Sequence, residues 1–290
     1  MPLSQGDFSN TVRVISPGPA LASCVRMYVT RSTLGRPRLP PAQRRNCYPA
    51  IVYCTLIWFI EGSARVVDST TGDIASELPS ALFCGPQTRP FGSFNPGPAQ
   101  VFAVLFFPDA MHALTGIEVS RHVNRIAALE AVLGGVWLDL SRDVMAATDD
   151  AARLAVVERF LAPLWRAAHA HSADDSGGGA FRNWATAFAA HAAAAGWGRS
   201  ARNLERRIKI WGGQPLRTLR RLSRVECALL EVRQAWQAGS ISWADLAARR
   251  GFADQAHLCR EMRAVTGHSP TELVCNVAQE EGYWLYRALS

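Results

Sequence analysis

The sequence holds a single lysine, Lys209, among 31 basic residues, so its positive charge is almost wholly arginine. It has no histidine before His112. That argues against a metal-dependent enzyme built on the first third of the chain, since such a site needs clustered imidazole and carboxylate ligands. No long apolar run is present: the longest, Ala50 to Ile60, sits between Pro49 and Glu61 and falls far short of the ~20 residues that cross a bilayer. Near Met1 there is no basic start followed by an apolar block, because Arg13 stands alone before a proline-rich stretch. A cytoplasmic protein without a membrane partner is therefore expected. The seven cysteines are odd in number and nowhere form C-x-x-C, which disfavours a disulfide framework or a zinc finger and leaves them as small buried apolar residues. Neither a metal nor a cofactor is expected. With 49% hydrophobic and 19% charged residues, 290 in all, the chain has ample material for two packed domains.

Proline is scarce after position 108: thirteen of sixteen lie at or before Pro108, and only Pro163, Pro215 and Pro270 follow. A proline-dense segment cannot be mainly helical. Within it, Ile51 to Ile60 reads as a buried strand, Arg65 to Val67 as the next, and Ala81 to Cys84 and Val101 to Phe107 as further short strands between Gly/Pro punctuation. An antiparallel barrel or sandwich is expected. Beyond Pro108 the spacing turns helical over Asp109 to Leu114, Ile126 to Leu133 and Ala151 to His169, with a break or kink at Pro163. The overall class is α+β, with a β-rich first half that also carries helices and an all-α second half.

The charge is unevenly placed. Residues 1–176 carry 15 basic and 15 acidic side chains, and residues 177–290 carry 16 and 9, so the whole net charge of +7 lies in the second part. The run Asp174-Asp175-Ser176-Gly177-Gly178-Gly179 is the clearest linker, which divides the chain into domains 1–173 and 180–290 around a linker 174–179. Arginine suits bidentate contacts to phosphates and base edges, and a basic domain of this size points to nucleic acid.

That basic half repeats itself. Leu204, Arg206, Ile208 and Gly213 recur 54 residues later as Leu258, Arg260, Met262 and Gly267, each copy with a proline shortly after, Pro215 and Pro270. Upstream, Ala194 and Gly198 precede Ser200 as Ala247 and Gly251 precede Ala253. A small residue followed four positions later by glycine lets two helices meet at a steep angle through a tight turn. Ser200 suits the N-cap of the second helix in the first copy, and Ser242 with Asp245 forms an S-x-x-D capping signal in the second. Two helix-turn-helix units are expected. Between them Leu216, Leu219, Leu222, Val225, Leu229, Val232 and Trp236 mark an amphipathic helix, about 30 Å long and comparable to the ~34 Å between successive major-groove faces of B-DNA.

The run Leu246 to Leu258, with Gly251-Phe252, Asp254-Gln255, His257 and Leu258, then Arg260 and Gly267-His268-Ser269-Pro270, resembles the second-unit signature of the AraC/XylS-type transcription regulators over about 100 C-terminal residues. The first copy is looser, since Gly213-Gln214-Pro215 is one residue short and glycines flank Trp197. The resemblance implies two units reading adjacent major grooves of double-stranded DNA, with Arg202, Glu205 and Arg206 facing base edges from the first and Asp254, Gln255, His257 and Arg260 from the second. The chemistry fits arginine on guanine, Gln255 on adenine and an acidic side chain on cytosine, although Asp254 would equally cap its helix and His257 pack locally. Ser200, Arg207, Lys209, Arg217, Arg220 and Arg263 read as phosphate neighbours. It further implies a cupin-like N-terminal barrel that binds a small-molecule effector or mediates a homodimer, and contact with RNA polymerase if the protein is an activator. A pocket lined from Tyr53, Trp58, Phe59, Phe83 or Phe102 would serve, with core filling as the plainer role for these aromatics. Two alternatives are a basic half that binds a protein partner and a cysteine-based sensor or methyl-transfer protein with a DNA-binding tail. For the latter, Cys47 beside Arg44 and Arg45 would have a lowered pKa, but the Pro-Cys-x-Arg pattern of methyl-transfer proteins is absent.

Overall fold

A computed structural model describes residues 11–35, 39–67, 73–169, 184–194, 200–237 and 242–288. The proline-dense part supplies β1 (Val12–Ile15), β2 (Val25–Ser32), β3 (Arg45–Tyr48), β4 (Cys54–Glu61), β5 (Arg65–Val67), β6 (Ile74–Glu77), β7 (Ala81–Cys84), β8 (Phe91–Phe94) and β9 (Gln100–Phe106). A helix, α1 (Pro108–Thr115), follows, then β10 (Ile126–Ala128), α2 (Val136–Ala146) and α3 (Asp150–His169). The strands form two antiparallel sheets, one of six in the order β1-β2-β9-β4-β7-β10 and one of four in the order β3-β8-β5-β6.

Strand β9 lies at the centre of the larger sheet, with Val104 opposite Tyr28 on one side and Leu56 on the other. Its near-continuous apolar run fits a strand covered on both faces. Phe102, Val104 and Phe106 point toward the helices: Phe102 lies 5.9 Å from Trp58, whose indole donates to Ser141 of α2, and Phe106 meets Trp137 edge-on at 6.4 Å. Val101, Ala103 and Leu105 point the other way, into a cavity closed by the smaller sheet.

Three sequence expectations shift. The strand expected from Ile51 begins at Cys54, because the chain before it is diverted: Ala50 N–H donates to Val265 and Ile51 carbonyl accepts from Gln87. The helix expected over Ile126 to Leu133 is instead β10 plus a 3-10 turn, Leu129–Ala131, since pairing Ile126 with Cys84 and Ala128 with Leu82 completes the sheet edge. Tertiary pairing overrides the local helical spacing. Finally, of the break or kink expected at Pro163, the break does not occur: α3 runs through Pro163 as one helix. Pro163 has no N–H to offer the Arg159 carbonyl, and both residues lie on the exposed side of the helix.

The second half is all helical: α4 (Trp184–Ala194), α5 (Ala201–Gly212), α6 (Leu216–Gln237), α7 (Trp243–Arg249), α8 (Gln255–Thr266), α9 (Pro270–Gln279) and α10 (Trp284–Ala288). The linker expected at 174–179 lies outside the described residues. Aromatic packing crosses from one half to the other: Tyr53 meets Phe107 edge-on at 5.8 Å, Phe107 stacks on Trp184 at 5.7 Å, and Trp184 on Phe188 at 5.4 Å. One hydrophobic cluster thereby includes Leu56, Phe107, Phe188, Leu219 and Leu258. Among the described residues, no helix is long and apolar enough to cross a membrane.

Candidate nucleic-acid interface

Helix α5 starts at Ser200, whose extended backbone (φ −77°, ψ 130°) turns its carbonyl to accept from Asn203 and Leu204; its side chain makes no capping bond. It ends at Gly213, left-handed at φ +78°, with its N–H on Lys209 carbonyl. Ile208 is buried on the inner face, and Trp211 packs between His112 of α1 and His191 of α4 at 5.5 and 5.7 Å. Arg202, Glu205, Arg206 and Lys209 fall at i, i+3, i+4 and i+7 and are all exposed, so they form one outward stripe. Lys209 Nζ is 4.0 Å from Glu205 Oε1. Arg207 points elsewhere: it donates to Ala192 carbonyl of α4, and its guanidinium lies 5.8 Å over Trp211. Its charge braces the helix pair rather than standing free.

The second unit contains the expected turn. Ala247 is buried in α7, Gly251 adopts φ +70°, and Phe252 N–H returns to Ala247 carbonyl at 2.9 Å. Ser242 caps α7 by accepting from Asp245 N–H. The corresponding turn of the first unit, Gly196 to Gly198, lies outside the described residues. Asp254 caps α8, accepting from His257 N–H at 2.6 Å. His257 is held locally: Nδ1 accepts from Ala253 N–H at 3.2 Å, the ring meets Phe252 edge-on at 5.5 Å, and Nε2 lies 3.9 Å from Glu261. Leu258, Met262 and Val265 are buried, whereas Gln255, Ala256, Arg260 and Arg263 are exposed. Arg263 is 3.4 Å from Glu272.

Helix α6 is the platform for both units, burying Leu219, Leu222, Val225 and Val232; the side chain of Trp236 lies outside the described residues. Arg221 pairs with Glu261 of α8 at 2.5 Å, and Arg224 donates to Gly251 carbonyl at 3.1 Å with its guanidinium 5.5 Å from the Phe252 ring. Glu231 receives Arg249 and Arg250, each at 2.6 Å, and these bonds hold its carboxyl below the usual range against a desolvation that acts the other way. The arginines thus sort into two groups. Arg207, Arg221, Arg224, Arg249 and Arg250 tie helices together, while Arg202, Arg206, Arg217, Arg220 and Arg260 are exposed and have no ion pair among the described residues.

The C-terminal Gly-x-Ser-Pro has a physical content. Gly267 closes α8 in the left-handed region (φ +83°), and Ser269 opens α9 in a capping box with Glu272, with Pro270 as first helical residue. Hydrogen bonds from Ser269 to Glu272 pull that carboxyl down to about 2.

In the β half, a cavity of about 110 Å³ lies between the sheets. Of the five aromatics expected to line a pocket, only Phe59 does so. Tyr53 instead reaches Glu226 of α6 at 2.8 Å, Trp58 and Phe102 face α2, and Phe83 packs edge-on against His122. The lowered pKa expected for Cys47 is reversed: burial pushes the thiol up, outweighing the opposing influence of Tyr283 and Arg45. Cys24, Cys54, Cys84 and Cys227 are buried. Among the described residues, no three His, Cys, Asp or Glu side chains gather as a metal site. Sequence reasoning missed the C-terminal turn, residues 281–286, all buried, with Trp284 and Leu285 in the cavity wall. Its alternation of acidic, glycine and aromatic residues has no helical or strand period to mark it.

No protein-family model matches the sequence, and no curated protein matches it. Among solved structures the chain is similar to ToxT from Vibrio cholerae, at 11% identity over 86% of this chain and 98% of that one, with a TM-score of 0.41. A second ToxT structure, from Vibrio cholerae O395 and bound to (E)-4-(8-methylnaphthalen-1-yl)but-3-enoic acid, shares 12% identity over 91% and 99% of the two chains, with a TM-score of 0.40. The AraC-like transcriptional activator CuxR shares 11% identity over 98% and 93%, with a TM-score of 0.31.

Proposed function

We propose that this protein is a sequence-specific transcription regulator of the AraC/XylS type, in which residues 180–290 read duplex DNA and residues 1–173 bind a small effector. The observation that carries the reading is the sorting of charge: Arg206 on α5 and Arg260 on α8, both exposed and without an ion pair among the described residues, occupy equivalent places on the second helices of two helix pairs sharing α6, and exposed Arg202 lies one turn before Arg206 on the same face. Arg202, Arg206 and Arg260 suit guanine O6 and N7, Gln255 suits adenine, and Glu205 suits cytosine N4. Arg217 and Arg220, exposed near the start of α6, suit phosphates, as do Lys209 and Arg263 once released from their weak surface pairs. Asp254 and His257 shape the start of α8 rather than reaching outward.

A gel-shift on genomic fragments tests this. Discrete fragments are expected to bind, with affinity falling steeply as salt rises. Arg260→Ala is expected to weaken a specific site by about 1–3 kcal/mol while sparing non-specific binding. Uniform binding of all fragments, or equal loss on specific and random duplexes, would count against base reading by α8.

A further inference from the structure

The two helices that carry the exposed arginines end on the same short piece of the β half. Residues 85–90 cross from β7 in the larger sheet to β8 in the smaller one. At the start of this crossover, a Cβ on Gly213, the left-handed cap of α5, would touch Pro86 Cγ at 3.4 Å, with Val119 at 3.1 Å and Val123 at 3.2 Å beside it. At its end, a Cβ on Gly267, the left-handed cap of α8, would touch Pro90 Cγ at 3.6 Å. Gly213 and Gly267 are the pair that the 54-residue repeat brings into register. A backbone route joins the same points. The Val265 carbonyl, in the last turn of α8 where helical donors run out, accepts from Ala50 N–H at 2.8 Å, and the neighbouring Ile51 carbonyl accepts from Gln87 N–H at 2.8 Å.

The crossover is held to one shape. Pro86 and Pro90 fix their own φ angles. Gly85 N–H donates to the Arg125 carbonyl at 3.0 Å, and a Cβ at Gly85 would clash with the His122 carbonyl. Asn124, the one residue other than glycine at positive φ (+58°) among the described residues, donates its N–H to the Pro86 carbonyl and accepts the Thr88 N–H, each at 2.8 Å. The buried Gln87 amide donates to the Gly85 carbonyl at 2.8 Å. Each helical unit is attached to the β half elsewhere as well: the first through Trp211 on His112, the second through Glu281, which accepts from the buried Arg31 Nη2 at 3.1 Å. The crossover differs from these in meeting the caps of both α5 and α8.

We infer that residues 85–90 are a strut that fixes the mutual setting of α5 and α8, so that the β half, together with α6, determines which separation of two DNA elements the protein accepts. Two bodies joined through one helix can rock about it; a second joint at the ends of α5 and α8 removes that freedom. The strut meets the C-terminal ends, whereas a recognition helix contacts bases from its N-terminal part. Arg202 near the start of α5 and Gln255 at the start of α8 accordingly stay exposed. The inference rests on reading α5 and α8 as the DNA-reading helices. Its first test needs no DNA, so its failure and the failure of that reading are distinguishable.

The experiment places spin labels on the full chain through a keto amino acid at exposed Ala201 on α5 and exposed Ala256 on α8, which spares the native cysteines. Pulsed electron resonance is expected to give one narrow distance. Two variants loosen the strut: insertion of two glycines between Thr88 and exposed Arg89, and Pro86→Ala with Pro90→Ala, which removes the Cγ atoms facing the caps and keeps the chain length. Each should widen the distance distribution with helical ellipticity retained. With the unlabelled proteins on a discrete site from the gel-shift, inserting one base pair between the elements read by α5 and α8 should weaken the parent at least about tenfold and both variants less than about threefold. An unchanged distance distribution in the double-alanine protein would overturn the proposal, as would equal spacing penalties in parent and variants, or tighter binding of the original site once the strut is loosened. Absence of any discrete site would remove DNA reading by α5 and α8, and the distance distributions alone would then decide whether the strut sets the two helices.

Discussion

Asp254 caps α8 and Arg260 lies within it, and the pair shows how differently two exposed polar residues are used. Asp254 accepts from the His257 N–H at 2.6 Å and leaves a carboxylate at the positive end of α8, whereas Arg260 stands exposed without an ion pair among the described residues. Asp254→Ala is expected to cost about 1 kcal/mol in thermal or denaturant unfolding, and Asp254→Asn to restore most of it, because asparagine caps as well as aspartate. Specific DNA affinity should follow stability across that pair; loss of affinity in the Asn variant with stability retained would make Asp254 a base contact. The exposed stripe on α5 was legible because helical spacing alone places Arg202, Glu205, Arg206 and Lys209 together. Arg207, read with them as a phosphate neighbour, was not separable by spacing: it is adjacent in sequence, but its guanidinium is directed by the Ala192 carbonyl and the Trp211 ring, both set by tertiary packing.

Helix α6 illustrates the same divide one level up. Its existence followed from leucines and valines every three or four residues, and the structure runs it from Leu216 to Gln237. Its role as a joint with the β half did not, because Glu226 looks in the sequence like any polar residue on an amphipathic helix. In the fold Glu226 is largely buried, with Tyr53 Oη at 2.8 Å and Arg26 at 3.6 Å. Desolvation raises its carboxyl to about 7, ahead of the opposing effects of Arg26 and of the Tyr53 hydrogen bond. Between the ordinary 4.5 and about 7 the folded protein therefore retains a proton that the unfolded chain has released, and the stability tied to this group is lost as pH rises through that window. The unfolding midpoint of Glu226→Gln, whose side chain stays neutral, should fall less than that of the unmodified protein across the same window. Parallel pH profiles for the two would mean that Glu226 does not titrate there. The strands tell a related story: β4, β7 and β9 were readable as apolar runs, while β10 was masked by helical spacing that only pairing with β7 overrides.

At the scale of the whole molecule, composition divides the chain more sharply than packing does. A neutral proline-dense half and an arginine-rich helical half suggest two independent units, yet the hydrophobic cluster is continuous from Leu56 through Phe107, Trp184 and Phe188 to Leu219. Four further joints bind the halves: Glu226 on Tyr53, Val265 carbonyl on Ala50 N–H, Trp184 on Asp109, and Trp284 with Glu281 at the cavity. Each is a long-range pair of residues whose types carry no signal at sequence level, so composition could not announce them. Interfaces between independently folding domains are usually small and polar; this one is aromatic and includes a buried ion pair. Unfolding is therefore expected to be a single cooperative transition, with the far-UV ellipticity of the helices and the near-UV signal of the packed aromatics changing together. Trp284→Ala, which removes a buried indole from the joint, should lower stability by about 3–5 kcal/mol and shift both signals by the same amount. If the near-UV signal moved while the helical signal kept its midpoint, the halves would be folding separately and any coupling between the cavity and helices α5 and α8 would lose its physical basis.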